Sequence, residues 1–399
     1  MTVGFDPAKN GLKVDQIRKL REFVLKQLIK KGVVLPVLLG VMALSVTLVG
    51  CSAATEIVEV EVQKIVPVEK IKVVEKIIEV AATKDKREIV FSGLNWDSAL
   101  VQNAVARYIV ENGYGYPTSQ IEGDTVPMFQ GLRKGDVDLA MEIWLPNQNV
   151  VWDEAMDAGE VLPVGKSLED NWQSSFLIPA YVHEEYPELD NVEDLKEDKY
   201  KALFAEPDSG GKAVLYGCIA GWACRGVQEG TEAGVGQIEA YGLSDHVELR
   251  DPGTGGALAA AVEGAVAKGE PILFYYWGPT ALMHNVEEYD LGQPDPSNCA
   301  GNDPVHGCAF PAAEVMIAMN MGLVDDAPEL ISFFRKWDWN ATNQLAAEGF
   351  YNDNKDNYDT VEQAYSASGV NYLKNNDGWK DWLPAAELAN VEAALANES

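Results

Sequence analysis

Three tryptophans in this 399-residue chain stand where a side chain can be offered to a ligand. Trp144 closes the apolar run Val137–Trp144 (VDLAMEIW) and is followed by Leu-Pro-Asn-Gln. Trp277 closes Pro271–Trp277 (PILFYYW) and is followed by Gly-Pro-Thr. Trp222 lies between two cysteines in Gly217-Cys-Ile-Ala-Gly-Trp-Ala-Cys-Arg-Gly226. The ring face of an indole is negative and is the best aromatic partner for a cation. A quaternary ammonium has no N–H to donate, so ring faces are the natural way to hold it. A lone Asp or Glu would attract such an ion without selecting it over a Lys-like amine. A dry box of rings leaves a primary amine's N–H groups unsatisfied and so rejects it. Trp96, in Leu94-Asn-Trp-Asp97, is a further candidate at the mouth of a cleft. Of the ten tryptophans, Trp337 and Trp339 near a helix end read as core.

No catalytic arrangement accompanies them. His183, His246, His284 and His306 share no catalytic spacing, and neither a Gly-x-Ser-x-Gly elbow nor a His-Glu-x-x-His helix occurs. An enzyme and a cofactor are therefore not expected. Asp136 and Asp138 flank a strand start and read as turn and edge residues. The turn at 253–256 lacks phosphate-loop spacing and reads as a plain strand-to-helix turn. The net charge of −31 argues against nucleic acid, whose phosphates require Lys and Arg. It reads as a solubilising surface.

The elements that must position the tryptophans alternate. Strands are expected at Glu88–Ser92, Val137–Trp144, Phe176–Pro179, Pro271–Trp277 and Val315–Met319. Helices are expected at Ser98–Asn112, Val126–Lys134, Val192–Leu203, Gly256–Lys268, 326–337 and 341–348. Such alternation predicts an α/β fold. Ligands in such sheets bind beyond the carboxyl ends of strands, where Trp144 and Trp277 fall. One core rarely grows past roughly 250–300 residues, so two lobes are expected.

The N-terminus differs from this body. Residues 1–50 carry eight basic and three acidic residues (+5), leaving 23 basic and 59 acidic (−36) in the remainder. Lys26, Lys30 and Lys31 precede an uncharged run at 33–49, the layout of an export signal. The run is shorter than the roughly 20 residues of a membrane-spanning helix, and it contains Pro36. Leu48-Val49-Gly50-Cys51 resembles the bacterial lipoprotein cleavage box. That resemblance implies an acylated Cys51 holding the mature chain by its acyl chains to the extracytoplasmic face of the membrane. Residues 52–86 alternate apolar with charged, contain Pro67, and read as an extended stalk.

Setting Cys51 aside leaves Cys218, Cys224, Cys299 and Cys308. Four cysteines allow three connectivities. In an oxidising compartment the local pairs Cys218–Cys224 and Cys299–Cys308 are favoured. His306 beside Cys299 and Cys308 does not complete a common zinc spacing, so no metal is expected.

Three segments together resemble a known family. Leu132–Pro146 (LRKGDVDLAMEIWLP), the loop GCIAGWACRG and the run FYYWGPT are similar to the glycine betaine/proline betaine-binding proteins of ABC importers. The resemblance covers most of residues 88–385, including Asp377-Gly378-Trp379, and the cysteine loop around its Trp is its most specific part. It implies a two-lobed periplasmic-binding-protein fold of type II, with discontinuous lobes joined by a hinge. It implies a box of Trp144, Trp222 and Trp277 around a trimethylammonium or dimethylammonium group, and a disulfide across the Trp222 loop. The solute's carboxylate would be held by the backbone N–H groups of Ala223 and Cys224, and by the side chain four positions after Trp144. That residue is Gln148, where a family pattern has His, so its donor is uncharged. Asn147 is a weaker candidate.

The expected organisation is signal peptide 1–50, anchor and stalk 51–86, lobe 1 at 87–179 plus 312–399, and lobe 2 at 180–311. The chain would cross near 176–182 and return near 311–318. The expected function is capture of glycine betaine or a related quaternary ammonium solute by hinge closure, as a monomer, and delivery to an ABC permease. The alternatives are a choline- or carnitine-selective protein, a binder of another small solute, or a sensor or interaction module.

Overall fold

In this computed structural model the described residues are 86–168, 173–232, 234–294 and 307–398. The export segment, Cys51 and residues 52–85 of the stalk lie outside them, as do Cys299 and His306. No described helix is long and apolar enough to cross a membrane.

The strands in chain order are β1 (Ile89–Leu94), β2 (Thr118–Gly123), β3 (Leu139–Leu145), β4 (Val161–Lys166), β5 (Gln173–Pro179) and β6 (Ala213–Tyr216). A two-residue hairpin follows, β7 (Gly230–Thr231) and β8 (Gly234–Val235), then β9 (Val247–Arg250), β10 (Leu273–Gly278), β11 (Glu288–Asp290) and β12 (Glu314–Asn320). They form two five-stranded sheets, ordered β2-β1-β3-β12-β4 and β11-β5-β10-β6-β9. In the first, β1 runs parallel to β2 and β3, while β12 runs antiparallel to β3 and β4. In the second, β10 is parallel to β6 and antiparallel to β5. β3 is buried from Leu139 to Trp144, which is why it reads as a nearly continuous apolar run.

The helices that bear on the site are α1 (Asp97–Asn112), α2 (Thr125–Lys134), α3 (Asn149–Ala158), α4 (Ala223–Glu229), α5 (Gly255–Lys268), α6 (Ala341–Asn354) and α7 (Val361–Asn375). Their ends follow local chemistry. α2 stops at Gly135, whose positive φ of 83° closes the last turn, and Arg133 and Lys134 there complement the helix dipole. The glycine-rich turn before α5 is a capped helix start, since the Thr254 side chain accepts the Ala257 N–H.

Several boundaries differ from those expected. β5 pairs with β10 and β11, so the strand at 173–179 belongs to the second sheet, not to the end of the first lobe. Residues 176–182, the expected crossing, thus lie in a strand of the second sheet and the helix after it. The segment 192–203 is not one helix. A 3-10 turn over Val192–Lys196 and a short helix Asp198–Lys201 are separated by Glu197, which is extended at φ −76°, ψ 130°. The segment 326–337 also divides, because Pro328 drives Ala327 out of the helical region. Helix 341–348 continues to Asn354 as α6.

Asp138 is not an edge residue. It is buried, accepts both Nη atoms of Arg87 at 2.8 Å, and accepts the Val90 N–H at 2.9 Å. Trp337 and Trp339 are core: they are fully buried and stack at 5.4 Å against one another beside Trp382 and Tyr372.

Candidate functional site

Four tryptophans reach one place because four chain turns end there. Trp96 follows β1 and precedes α1. Trp144 and Trp277 are the penultimate residues of β3 and β10, and each is followed two positions later by a proline. Trp222 precedes α4, inside the loop that the Cys218–Cys224 disulfide closes with a Cα separation of 5.9 Å. β1 and β3 belong to the first sheet and β10 to the second, so the rings converge from two directions.

The rings meet edge to face. Trp96 lies 5.1 Å from Trp222 at 73° and 6.3 Å from Trp277 at 78°. Trp277 lies 5.4 Å from Trp222 at 78° and 6.2 Å from Trp144 at 81°. All four are at least nine-tenths buried. They line a small, partly open cavity of about 30 Å³. Its lining is Trp96, Thr125, Trp144, Asn147, Gln148, Trp222, Ala223, Cys224, Tyr275 and Trp277. The eight ligand-contact candidates read from the sequence therefore share one cavity. Trp96 forms part of its wall rather than only its mouth.

The lining combines aromatic rings with neutral polar groups. Thr125 and Gln148 are buried, and the Gln148 side chain does not cap α3, the helix it precedes. No side chain caps α4, and the first N–H groups of a helix have no intrahelical acceptor. Ala223 and Cys224 begin that helix and line the cavity. Among the described residues no Lys, Arg or His lines it. An oxygen held here would thus be held by uncharged donors.

The indole edges are fixed from outside the cavity. The Nε1–H groups of Trp96 and Trp144 donate to the same oxygen of Glu142, at 2.7 and 2.9 Å. Trp222 donates to Asn95 Oδ1 at 2.7 Å, and Asn95 donates in turn to Asp124 Oδ1 at 2.7 Å. The Val126 N–H donates to Gly221 O at 3.2 Å. Gly221 has φ +98°, and a Cβ there would fall 2.7 Å from the Asp124 carboxylate, so the close approach of the two chain segments requires glycine. Trp277 Nε1 is buried without a hydrogen-bond partner among the described residues. Tyr275 shares a hydrogen bond with Ser174 Oγ, and burial pushes its phenol up to about 12, so it stays neutral.

Tyr275, Thr125, Glu142 and Asn95 were not singled out from the sequence. Two of them carried a signal. Tyr275 and Glu142 lie two residues before Trp277 and Trp144, and alternate strand residues share a face. Glu142 is also the single charged residue inside a buried strand. Among described residues no cluster of three or more His, Cys, Asp or Glu is placed to hold a metal. Cys299 lies outside the described residues, and its pairing with Cys308 lies outside with it.

Comparison with known proteins places this geometry. The family described as the substrate binding domain of an ABC-type glycine betaine transport system matches residues 87–368. A trimethylamine N-oxide-binding protein of Pelagibacter ubique is 24% identical over 269 residues, 66% of this chain and 82% of that protein. The glycine betaine/proline betaine-binding periplasmic protein of Escherichia coli is 26% identical over 159 residues, 40% of this chain and 45% of that protein. With the second relative, then, the match spans less than half of its length. Two solved structures share the fold. The glycine betaine, L-proline-binding protein of Borrelia burgdorferi superposes with a TM-score of 0.59 at 17% identity, covering 76% of this chain and 99% of that one. A choline-binding protein in complex with choline gives 0.58 at 20% identity, covering 77% and 98%.

Proposed function

We propose, since this chain belongs to the family of substrate binding domains of ABC-type glycine betaine transport systems, that it captures a small trimethylammonium solute in the four-tryptophan cavity and delivers it to an ABC permease. The observation that carries the reading is the box of Trp96, Trp144, Trp222 and Trp277 with no Lys, Arg or His among the described residues of its lining. Ring faces stabilise a cation that has no N–H, and desolvation inside the box raises the value of each contact to about 2 kcal/mol or more. Thr125, Gln148 and the N–H groups of Ala223 and Cys224 offer donors to the solute's oxygen; Asn147 lies beside them. Glycine betaine, whose carboxylate can span from the rings to these donors, fits best.

A trimethylamine N-oxide ligand is the second reading. It is supported by the longer match to the Pelagibacter protein and by the small cavity. That ligand carries its oxygen on the nitrogen itself, so the polar groups of the lining would be left to water.

The contacts of Trp222 with Asn95 and of Gly221 with Val126 join the two sheet-bearing halves. A solute touching rings from both halves stabilises this closed form over an open one. Lobes divided near the β4–β5 and β11–β12 connections and moving about a hinge belong to the same proposal. So do export, acylation at Cys51 and a place on the extracytoplasmic membrane face.

Calorimetric titration with glycine betaine, trimethylamine N-oxide, choline and proline tests the reading. Binding of at least one trimethylammonium compound with silence from proline supports it, and silence from all four contradicts it. The order of the first two separates the two readings.

A further inference from the structure

We infer that Glu142 is the positioning residue and counter-charge of the cage: one carboxylate oxygen locks the indoles of Trp96 and Trp144, and its ionised form and the bound cation stabilise each other. The inference rests on the trimethylammonium reading above. Its basis is geometric. Glu142 is fully buried, and one oxygen accepts both indole N–H groups at 2.7 and 2.9 Å. Its other oxygen accepts the Gln102 amide at 3.1 Å, and the Gln102 carbonyl in turn accepts the Ser167 hydroxyl at 3.1 Å. These bonds all donate toward the carboxylate, which suits an ionised group. They place a negative charge one hydrogen bond away from two of the four rings that face the cation.

Among the described residues no basic side chain shares this pocket. β1 contributes no titratable group. On β12, Glu314 is paired with Lys166 at the strand's start. α1 brings Asp97, bound by the Tyr365 hydroxyl at 2.6 Å. α6 brings Glu348, which accepts from the Ala281 N–H and the Gln344 amide. Burial pushes the Glu142 carboxyl up to about 7, against the pull of the indole donors. A cation in the cage favours the ionised form and brings that value back down. Affinity is then complete above the free protein's value and is lost as pH falls through it. With the free group near 7 and the bound group ionised throughout, the dissociation constant rises about tenfold from pH 8 to pH 6. A carboxylate that only braced the rings would leave no such slope.

The test is calorimetry of the full chain in detergent at pH 8, 7 and 6 with glycine betaine, trimethylamine N-oxide and choline. For the ligands that bind, the dissociation constant rises about tenfold over this range. Glu142→Gln keeps the shape, binds at pH 8 more weakly than the parent does at pH 6, and shows no slope. Glu348→Gln retains the slope. Should Glu142→Gln fail to fold, titration of the parent at pH 7 in buffers of different ionisation enthalpy reads the fraction of a proton released on binding. A dissociation constant independent of pH with no proton release overturns the inference and leaves the trimethylammonium reading standing. A slope that survives in Glu142→Gln, or disappears in Glu348→Gln, also overturns it. Absence of binding by all three ligands overturns both.

Discussion

Replacing Trp222 by Ala removes two supports of the bound state at once. The first is one ring of four in a buried box, where Trp222 lies 5.1 Å from Trp96 and 5.4 Å from Trp277. A desolvated cation over an indole gains about 2 kcal/mol. The second is the 2.7 Å hydrogen bond to Asn95, which ties the loop of one half to the other and contributes roughly 1 kcal/mol. Together they amount to about 3 kcal/mol, a rise of roughly 150-fold in the dissociation constant. Trp222→Phe keeps a ring and loses the N–H, so its loss is smaller, about fivefold. The assay is calorimetric titration with glycine betaine, with circular dichroism and thermal melting as checks on the fold. Trp222 sits in a disulfide-closed loop at the cavity, not in the sheets, so the melt should stay cooperative. An unchanged dissociation constant in a folded Trp222→Ala protein would refute ring-face recognition by this loop.

Other outcomes follow from the same structure. Cys218→Ser opens a ring of seven residues, which by loop entropy lowers stability by about 2 kcal/mol, read as a lower melting temperature. Glu348 is held above its ordinary value, to about 8, by burial, so the folded chain binds a proton there that the unfolded chain has released above its ordinary carboxylate range. The sign is that stability falls as pH rises from about 4.5 to 8, and Glu348→Gln flattens that decline in thermal melts across pH. Cys51→Ala, which removes the proposed acylation site, should move the protein from the membrane to the soluble fraction on cell fractionation. Retention as an integral protein would instead favour a spanning segment at 33–49.

What could be read from the sequence depended on how local its cause was. Trp144 and Trp277 end strands whose apolar runs are plain, so their positions at strand carboxyl ends were legible. Gln148 and Asn147 followed from the family resemblance, not from the residues themselves. β2 (TSQIEG) escaped because an edge strand with half-exposed, polar residues carries no apolar alternation. β6 and β9 are four residues each, too short for a period to register. The break at Ala327 was legible in principle, since a residue before proline leaves the helical region, but the apolar spacing around it runs through. Asn95 and Asp124 were not legible at all. Their roles come from Trp222 and Gly221, residues nearly a hundred or more positions away in the chain, and only the meeting of the two halves creates them. Glu142 showed its strand position but not its partners, because Trp96 lies on a different strand's end.

The central claim is that this cavity reads positive charge through ring faces. The most direct measurement compares glycine betaine with 3,3-dimethylbutanoate, which has the same shape with carbon in place of the cationic nitrogen. Calorimetric titration of both should give the carbon compound a dissociation constant at least about thirtyfold higher, the value of one desolvated cation–ring contact. Equal affinities would mean that the four tryptophans provide only an apolar hole, and recognition of charge by their ring faces would be contradicted.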